Sequence, residues 1–366
     1  MNIARLLKCL VGVTIFVTLI WFFSPIVIYV MLASVIALVG RPMVTLLMKF
    51  KIWKIRISKG VAALITLLLI WFFVFAFLSL FIPLLITEIT IISSIDPQLL
   101  LSHFSEPLNS IQAFYNQYIN YANETFSVKE LILDRIAETF NISKVVAILS
   151  GISAALGNIV IAVFSVTFIS FFLLRDRTLL LRVILLLFPE NREAEILHAS
   201  NSINQLLRRY FVGVALQSTF IFALVFIGLT IVGIDLSHVM LISSFAAVIN
   251  VIPYVGPLIG ALFGVVVGVL VNLQVYDQGA LLYLMLYIAI VFAIVQLIDN
   301  FIFQPYIFST TVKAHPLEIF IVILMSGFIG GVLGMIVGVP IYTILRVVAK
   351  EFLSRYRFIR KITQSI

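Results

Sequence analysis

Charge is scarce in this chain. Of its 366 residues only 11% are Asp, Glu, Lys or Arg, while 63% are hydrophobic. No soluble domain of that length could keep so much apolar surface from water, so a water-soluble globular fold is excluded and an all-α polytopic membrane protein is expected. Cysteine is almost absent. Cys9 stands alone, which excludes an internal disulfide and a cysteine metal cluster. The four histidines, His103, His198, His238 and His315, show no ligand spacing, and no metal site is expected. Also missing are a Gly-x-x-x-x-Gly-Lys loop, a Gly-x-Ser-x-Gly elbow and a His-Glu-x-x-His pair, so nothing in the chain suggests an ATP motor or an enzyme. No cofactor is called for beyond a coupling ion, H+ or Na+.

Long apolar runs take the place of these features. Leu6–Phe23 and Ile26–Val39 flank Ser24-Pro25 and read as a helical pair. The first run continues through Trp21, Phe22 and Phe23 without a small-residue cleavage site, so it reads as a retained membrane helix, not a signal peptide. Gly60–Ile86, Val145–Leu174, Tyr210–Val232 and Ala280–Ile298 are further spans, making about six in all. Between residues 87 and 144 the chain is more polar. Leu100, Phe104, Leu108, Ile111, Tyr115, Tyr118 and Ala122 follow helical spacing there, as do Val128, Leu131, Ile132, Ile136 and Phe140. These are expected to be amphipathic external helices that serve packing, an oligomer contact or a gate.

Two apolar regions, Val239–Val271 and Leu317–Val348, are too long for one crossing. As straight helices they would reach roughly 50 Å at ~1.5 Å per residue, against a hydrocarbon core of ~30 Å. Pro253-Tyr254-Val255-Gly256-Pro257 interrupts the first and Gly330-Gly331 the second. Each reads as two short arms, a hairpin or a broken helix. Each also carries a glycine ladder, Gly256, Gly260, Gly264 and Gly268 in one and Gly330, Gly334 and Gly338 in the other. GALFGVVVGV aligns with GGVLGMIVGV at an offset of 70 residues. Glycines four apart share one helix face and let another backbone come close. If both regions are hairpins returning to their own side, and both termini are cytoplasmic, 21 of the 24 basic residues fall inside; only Lys129, Arg135 and Lys144 fall outside. The net charge of +8 is thus explained by topology and not by nucleic-acid binding. The hairpins would enter from opposite faces, as an inverted repeat requires, and the ladders would let a moving unit slide against a scaffold.

The expected organisation is therefore N-terminal membrane helices over 1–86, an external helical region over 87–144 and a span over 145–174. A cytoplasmic connector covers 175–209, a transport core with both hairpins 210–350, and a basic cytoplasmic tail 351–366.

A few polar residues lie at membrane depth. Gln296, Asp299, Asn300 and Gln304 share one helix face, either as a substrate or ion contact or as a capped cytoplasmic helix end. Asn250, Pro253, Tyr254, Gly256 and Pro257 form the first tip, a binding element or a plain turn. His315, Pro316 and Glu318 open the second hairpin, and Glu318 suits a helix N-terminus. Gln217, Ser218 and Thr219 would bond between helices or face a pathway. Arg175 and Asp176 read as an interfacial anchor or as an ion pair that docks the connector.

At several of these residues the chain resembles the autoinducer-2 exporter family of bacterial permeases. The matching stretches are FFLLRDRTLLLRVILLLFPENR, RRYFVGVALQ, INVIPYVGPLIGA and QLIDNFIFQPYIFSTTVKAHPLEIFIVILMSGFIGGVLGMIVGVPIY. Two departures are visible: Phe308-Ser309 where the family often has a glycine, and Asp299 where it often has Glu. The resemblance implies a multi-pass inner-membrane transporter, a homo-oligomer (pentameric in the family), and a small polar solute such as autoinducer-2. It also implies sodium-or-lithium/proton antiport as an alternative. A channel, or a scaffold or regulatory protein that binds a partner through its external helices, is the competing reading from another class.

Overall fold

The computed structural model describes residues 14, 18, 22–49, 51–52, 55–95, 105–118, 127, 142–176, 178–186, 188–305 and 315–353. These are almost entirely helical. The exception is a ribbon of two short antiparallel strands, β1 (Lys51–Ile52) and β2 (Ile55–Arg56). The helices are α1 (Ser24–Leu47), α2 (Lys59–Ser93), α3 (Ser105–Tyr118), α4 (Ile142–Arg175), α5 (Leu179–Leu186) and α6 (Glu193–Val232). They continue with α7 (Leu236–Ile249), α8 (Val255–Leu270), α9 (Gln278–Ile298) and α10 (Pro316–Leu353). Six are long and apolar enough to cross a bilayer: α1, α2, α4, α6, α9 and α10. Large side chains of α2 such as Leu68, Phe72 and Phe73 are more than half exposed, as a lipid-facing surface requires. This is a multi-pass membrane protein.

Several boundaries move from their expected places. The expected span Leu6–Phe23 and the second external helix over Val128–Phe140 lie mostly or wholly outside the described residues. α1 runs past Val39 through Pro42 to Leu47, and α2 passes Ile86 to Ser93. The end of the expected connector and the span Tyr210–Val232 are one continuous 40-residue α6, since no Gly or Pro interrupts it before Gly213.

The chain forms two compact units, each cutting across long helices. The first holds residues 1–74 and 154–211, and the second 75–153 and 212–366. Ala33, Ala37, Val44, Ala62, Ala63, Leu67, Val166 and Leu173 make the core of the first, where small residues on α1 and α2 admit close approach. Within that unit the Trp71 indole donates to Thr167 Oγ1 at 2.9 Å. The second unit's core is built from α6 to α9, with Val225, Leu229, Ile242, Val267, Ile288 and Phe292 among its members.

The first hairpin is present. Arms of 14 and 16 residues, α7 and α8, are joined by a turn over 250–254. At ~1.5 Å per residue the arms reach about 21 and 24 Å, short of the ~30 Å core. Asp235 caps α7 by accepting from the Ser237 amide at 2.9 Å, and the Ser237 hydroxyl, followed by that amide, holds its carboxyl below the usual range. α6 and α9 lie antiparallel: Gln217 faces Asp299, and Gly228 faces Val291 further along. α9 therefore starts at the end where α6 stops, and the α7–α8 pair returns to the side it left.

The second hairpin lies inside what is nominally one helix. Gly330 (φ −128°, ψ 15°) and Gly331 (φ 59°, ψ −145°) break α10. The Gly331 conformation is essentially closed to any residue with a Cβ. The arms fold together so that the Tyr342 hydroxyl donates to Glu318 Oε2 at 2.8 Å. In a straight helix those residues would stand roughly 36 Å apart.

Part of each glycine ladder packs its hairpin on itself, while the far half of the first ladder faces α9. A Cβ on Gly256 would lie 2.2 Å from the Ile249 carbonyl, and one on Gly334 would lie 2.0 Å from the Ser326 carbonyl. Gly260 closes on Ala246, and Gly338 on Ser326 and Val322. The structurally matched pairs are Gly256 with Gly334 and Gly260 with Gly338, 78 residues apart instead of 70. Gly264 and Gly268 accept Phe292 and Ile288 of α9 and Ile242 of α7. Gly330 and Gly331 have open space beside them and serve the bend.

Candidate functional site

α9 carries a buried stripe, Leu281, Leu284, Ile288, Phe292 and Val295, at the three-and-four spacing of one helix face. The next position on that stripe is Asp299, which is 1% exposed. A carboxylate thus sits where the pattern calls for an apolar side chain. The helix changes there. Residues Asp299–Phe303 form a π-turn, an insertion often found at functional sites because it re-aims side chains without ending the helix.

The π-turn brings Gln304, five residues on, back to the carboxylate: Nε2 donates to Asp299 Oδ2 at 3.0 Å. From α6, Gln217 Nε2 donates to Asp299 Oδ1 at 2.6 Å. Gln217 is itself 6% exposed. Asn300 Oδ1 accepts from Gln296 at 2.9 Å and from Gln304 at 3.0 Å. The expected polar face is therefore one connected network, but it is split by depth, with Asp299 buried and Asn300 exposed. Beside the network, Phe220 of α6 stacks on Phe303 of the π-turn at 5.2 Å. Among the described residues Asp299 has two amide donors and no cationic partner. A buried carboxylate in that position calls for a compensating charge.

The first tip is a different kind of site. Gly256 and Pro257 belong to the first turn of α8 and not to the tip, because Gly256 seats that turn on Ile249. Tyr254 adopts φ 62°, ψ −48°, and the Val255 amide donates to the Pro253 carbonyl at 2.7 Å. This is a γ-turn of the rare positive-φ kind, strained for any residue but glycine. Nearby, the Asn250 side-chain amide nitrogen is buried without a hydrogen-bond partner. Strain at the tip is testable: Tyr254→Gly should be more stable than Tyr254→Ala by about 1 kcal/mol, read from thermal unfolding in detergent. Equal stabilities would show an unstrained turn.

The Tyr254 ring meets Phe320, 6.0 Å between centroids, at the start of the second hairpin. Glu318 is bonded to Tyr342 there. Arg346, one turn beyond Tyr342, is only 6% exposed, so it is no simple solvated anchor. His315 caps α10, its Nδ1 accepting from the Leu317 amide at 3.2 Å, and Pro316 is the first helical residue. Neither joins the Asp299 network.

The docking pair expected between Arg175 and Asp176 is not formed. Adjacent helical residues point apart. Asp176 instead accepts from the Thr178 amide at 3.0 Å and its hydroxyl at 2.9 Å, with Arg182 at 3.5 Å. The Thr178 bonds hold its carboxyl below the usual carboxylate range.

Sequence reading passed over a further pair. Nδ1 of His238, on α7, lies 2.8 and 2.9 Å from the two oxygens of Glu88 on α2. Glu88 is 5% exposed. The signal was available: Glu88 is the lone charge in LLITEITII, and an intramembrane acid demands a partner. Removing His238 strands that acid. His238→Ala should destabilise the protein by about 3–5 kcal/mol, and His238→Ala/Glu88→Gln should recover much of the loss, both read by thermal unfolding. Unfolding temperatures that do not move would show the pair to be immaterial.

Comparison with known proteins agrees with this picture. Residues 10–354 match the profile of the family described as AI-2E family transporter. "Putative transport protein YueF" of Bacillus subtilis (strain 168) is 26% identical over 202 residues, 54% of this chain and 52% of that protein. The match thus spans about half of that relative's length. "Putative transport protein YrrI" of the same organism is 23% identical over 272 residues, 74% of this chain and 72% of that protein. With a profile match running over nearly its whole length, the chain belongs to the AI-2E transporter family.

Proposed function

We propose that this protein is a secondary transporter that moves a small polar solute by alternating access, with a proton or sodium ion binding at Asp299. The observation that carries the reading is the Asp299 carboxylate, 1% exposed, bonded to Gln217 and Gln304 and, among the described residues, lacking a cationic partner. A mobile cation that comes and goes at such a site changes the stability of the α6–α9 packing, and that is how ion binding biases two conformations.

The two hairpins support the reading. Tyr254, at the tip of the first, meets Phe320 near the open end of the second. Hairpins inserted from one side would place tip beside tip, so this contact favours insertion from opposite faces, the arrangement of an inverted-repeat transporter. The unpartnered Asn250 amide and the strained Tyr254 are the solute contacts this reading favours. Pro253 frees backbone beside them. The protein would sit in a bacterial inner membrane with both termini cytoplasmic, as a homo-oligomer.

Family membership makes autoinducer-2 the first solute to try. Cells making the protein should release more of it than cells making Asp299→Asn, measured in the medium at equal cell density. Equal release would remove autoinducer-2 as the solute. The uncompensated carboxylate equally favours sodium/proton antiport. In that case sodium chloride added to acidified everted vesicles should dissipate the pH gradient in the unsubstituted protein and not in Asp299→Asn.

A further inference from the structure

A second polar site lies in the first compact unit and shares no residue with the Asp299 network. Between α1 and α6 there is a cavity of about 530 Å³, within the range of small-ligand sites. Among the described residues three arginines line it, Arg41 from α1 and Arg208 and Arg209 from α6, and no acidic residue does. Leu38 and Pro42 give it an apolar wall. Arg41 is held in place, its Nη1 donating to Asn204 Oδ1 at 3.3 Å, while Arg208 and Arg209 are exposed at the mouth.

Three guanidinium groups around one cavity give it a positive potential that favours an anion. Guanidinium forks match phosphate oxygens, and one apolar wall suits an attached glyceryl or acyl group. Basic pockets between membrane helices suit anionic headgroups for the same reason. We infer that this cavity binds a phosphate-bearing anion, through Arg41, Arg208 and Arg209. The anion is either a lipid headgroup or a soluble phosphate. Its place between α1 and α6 would let it brace those helices, independently of any solute carried elsewhere.

The full chain, purified in non-ionic detergent, would be titrated separately with dioctanoyl phosphatidylglycerol, dioctanoyl phosphatidylcholine and sodium phosphate at constant ionic strength. Saturable binding of phosphatidylglycerol alone identifies a lipid ligand; saturable binding of phosphate as well identifies a soluble one. Either supports the site. Arg208→Gln/Arg209→Gln should weaken that binding about 25-fold, taking roughly fivefold per arginine. Arg208→Lys/Arg209→Lys, which keeps the charge, should lose less. The inference fails if neither anion saturates, if phosphatidylcholine binds as tightly as phosphatidylglycerol, or if the Gln double variant binds like the unsubstituted protein.

Discussion

Asp299→Asn is expected to abolish coupled transport while leaving the protein folded and inserted. The substitution keeps the size of the side chain and lets both neighbouring glutamines retain a partner at Oδ1 and, by turning an amide, at the other atom. What it removes is the negative charge. Taking an uncompensated charge out of a site 1% exposed should not cost stability and is expected to raise the unfolding temperature. Flux should fall to the level of protein-free vesicles. The combination is diagnostic: a merely structural carboxylate would lose stability along with activity. Gln217→Ala is the companion variant. It strips the shorter of the two hydrogen bonds, 2.6 Å, and should weaken ion dependence without erasing flux. Unchanged flux in Asp299→Asn would remove this residue from the mechanism.

Gly256→Ala and Gly334→Ala carry the second large effect. Each Cβ would collide with a backbone carbonyl, at 2.2 Å from Ile249 and 2.0 Å from Ser326, and a carbonyl in a helix cannot swing away as a side-chain end can. Each variant should lose about 3 kcal/mol, the upper end for overpacking, and should transport poorly because its hairpin is splayed. Gly330→Ala is the control. A Cβ there meets nothing within 4 Å and φ is −128°, so it should behave like the unsubstituted protein. Gly331→Ala also has open space, but its φ of 59° with ψ −145° should make it costly. If Gly334→Ala and Gly330→Ala unfold at the same temperature, the hairpin is not held by close arm packing.

Much of this was legible in the residues themselves. Length arithmetic on Val239–Val271 and Leu317–Val348 called for two re-entrant arms in each, and both fold back. The i, i+3, i+4 and i+8 spacing of Gln296, Asp299, Asn300 and Gln304 made them one face, and four hydrogen bonds connect them with Gln217. Other features depend on contacts that periodicity does not encode. The π-turn at Asp299 adds one residue to a helical turn, in a stretch that contacts α6 through Gln217 and Phe220. Laying like sequence on like gives a ladder offset of 70. The structure pairs glycines by distance from the bend, which lies at 250–254 in one hairpin and 330–331 in the other. Arg346 counts as an inside anchor by charge alone, yet it is buried one helical turn beyond Tyr342, whose hydroxyl reaches Glu318 on the other arm of α10. Glu88 announces that it needs a partner, but nothing in the sequence names one 150 positions away.

If the proposed function holds, an ion gradient drives a solute through this protein. Everted vesicles carrying it would be given a mixed extract of small polar metabolites, with an imposed pH gradient, an imposed sodium gradient or neither, and their contents identified after uptake. At least one solute should accumulate saturably, only when a gradient is present, and should not accumulate in Asp299→Asn vesicles. Accumulation that ignores both gradients, or no accumulation of any solute beyond empty vesicles, would contradict that function.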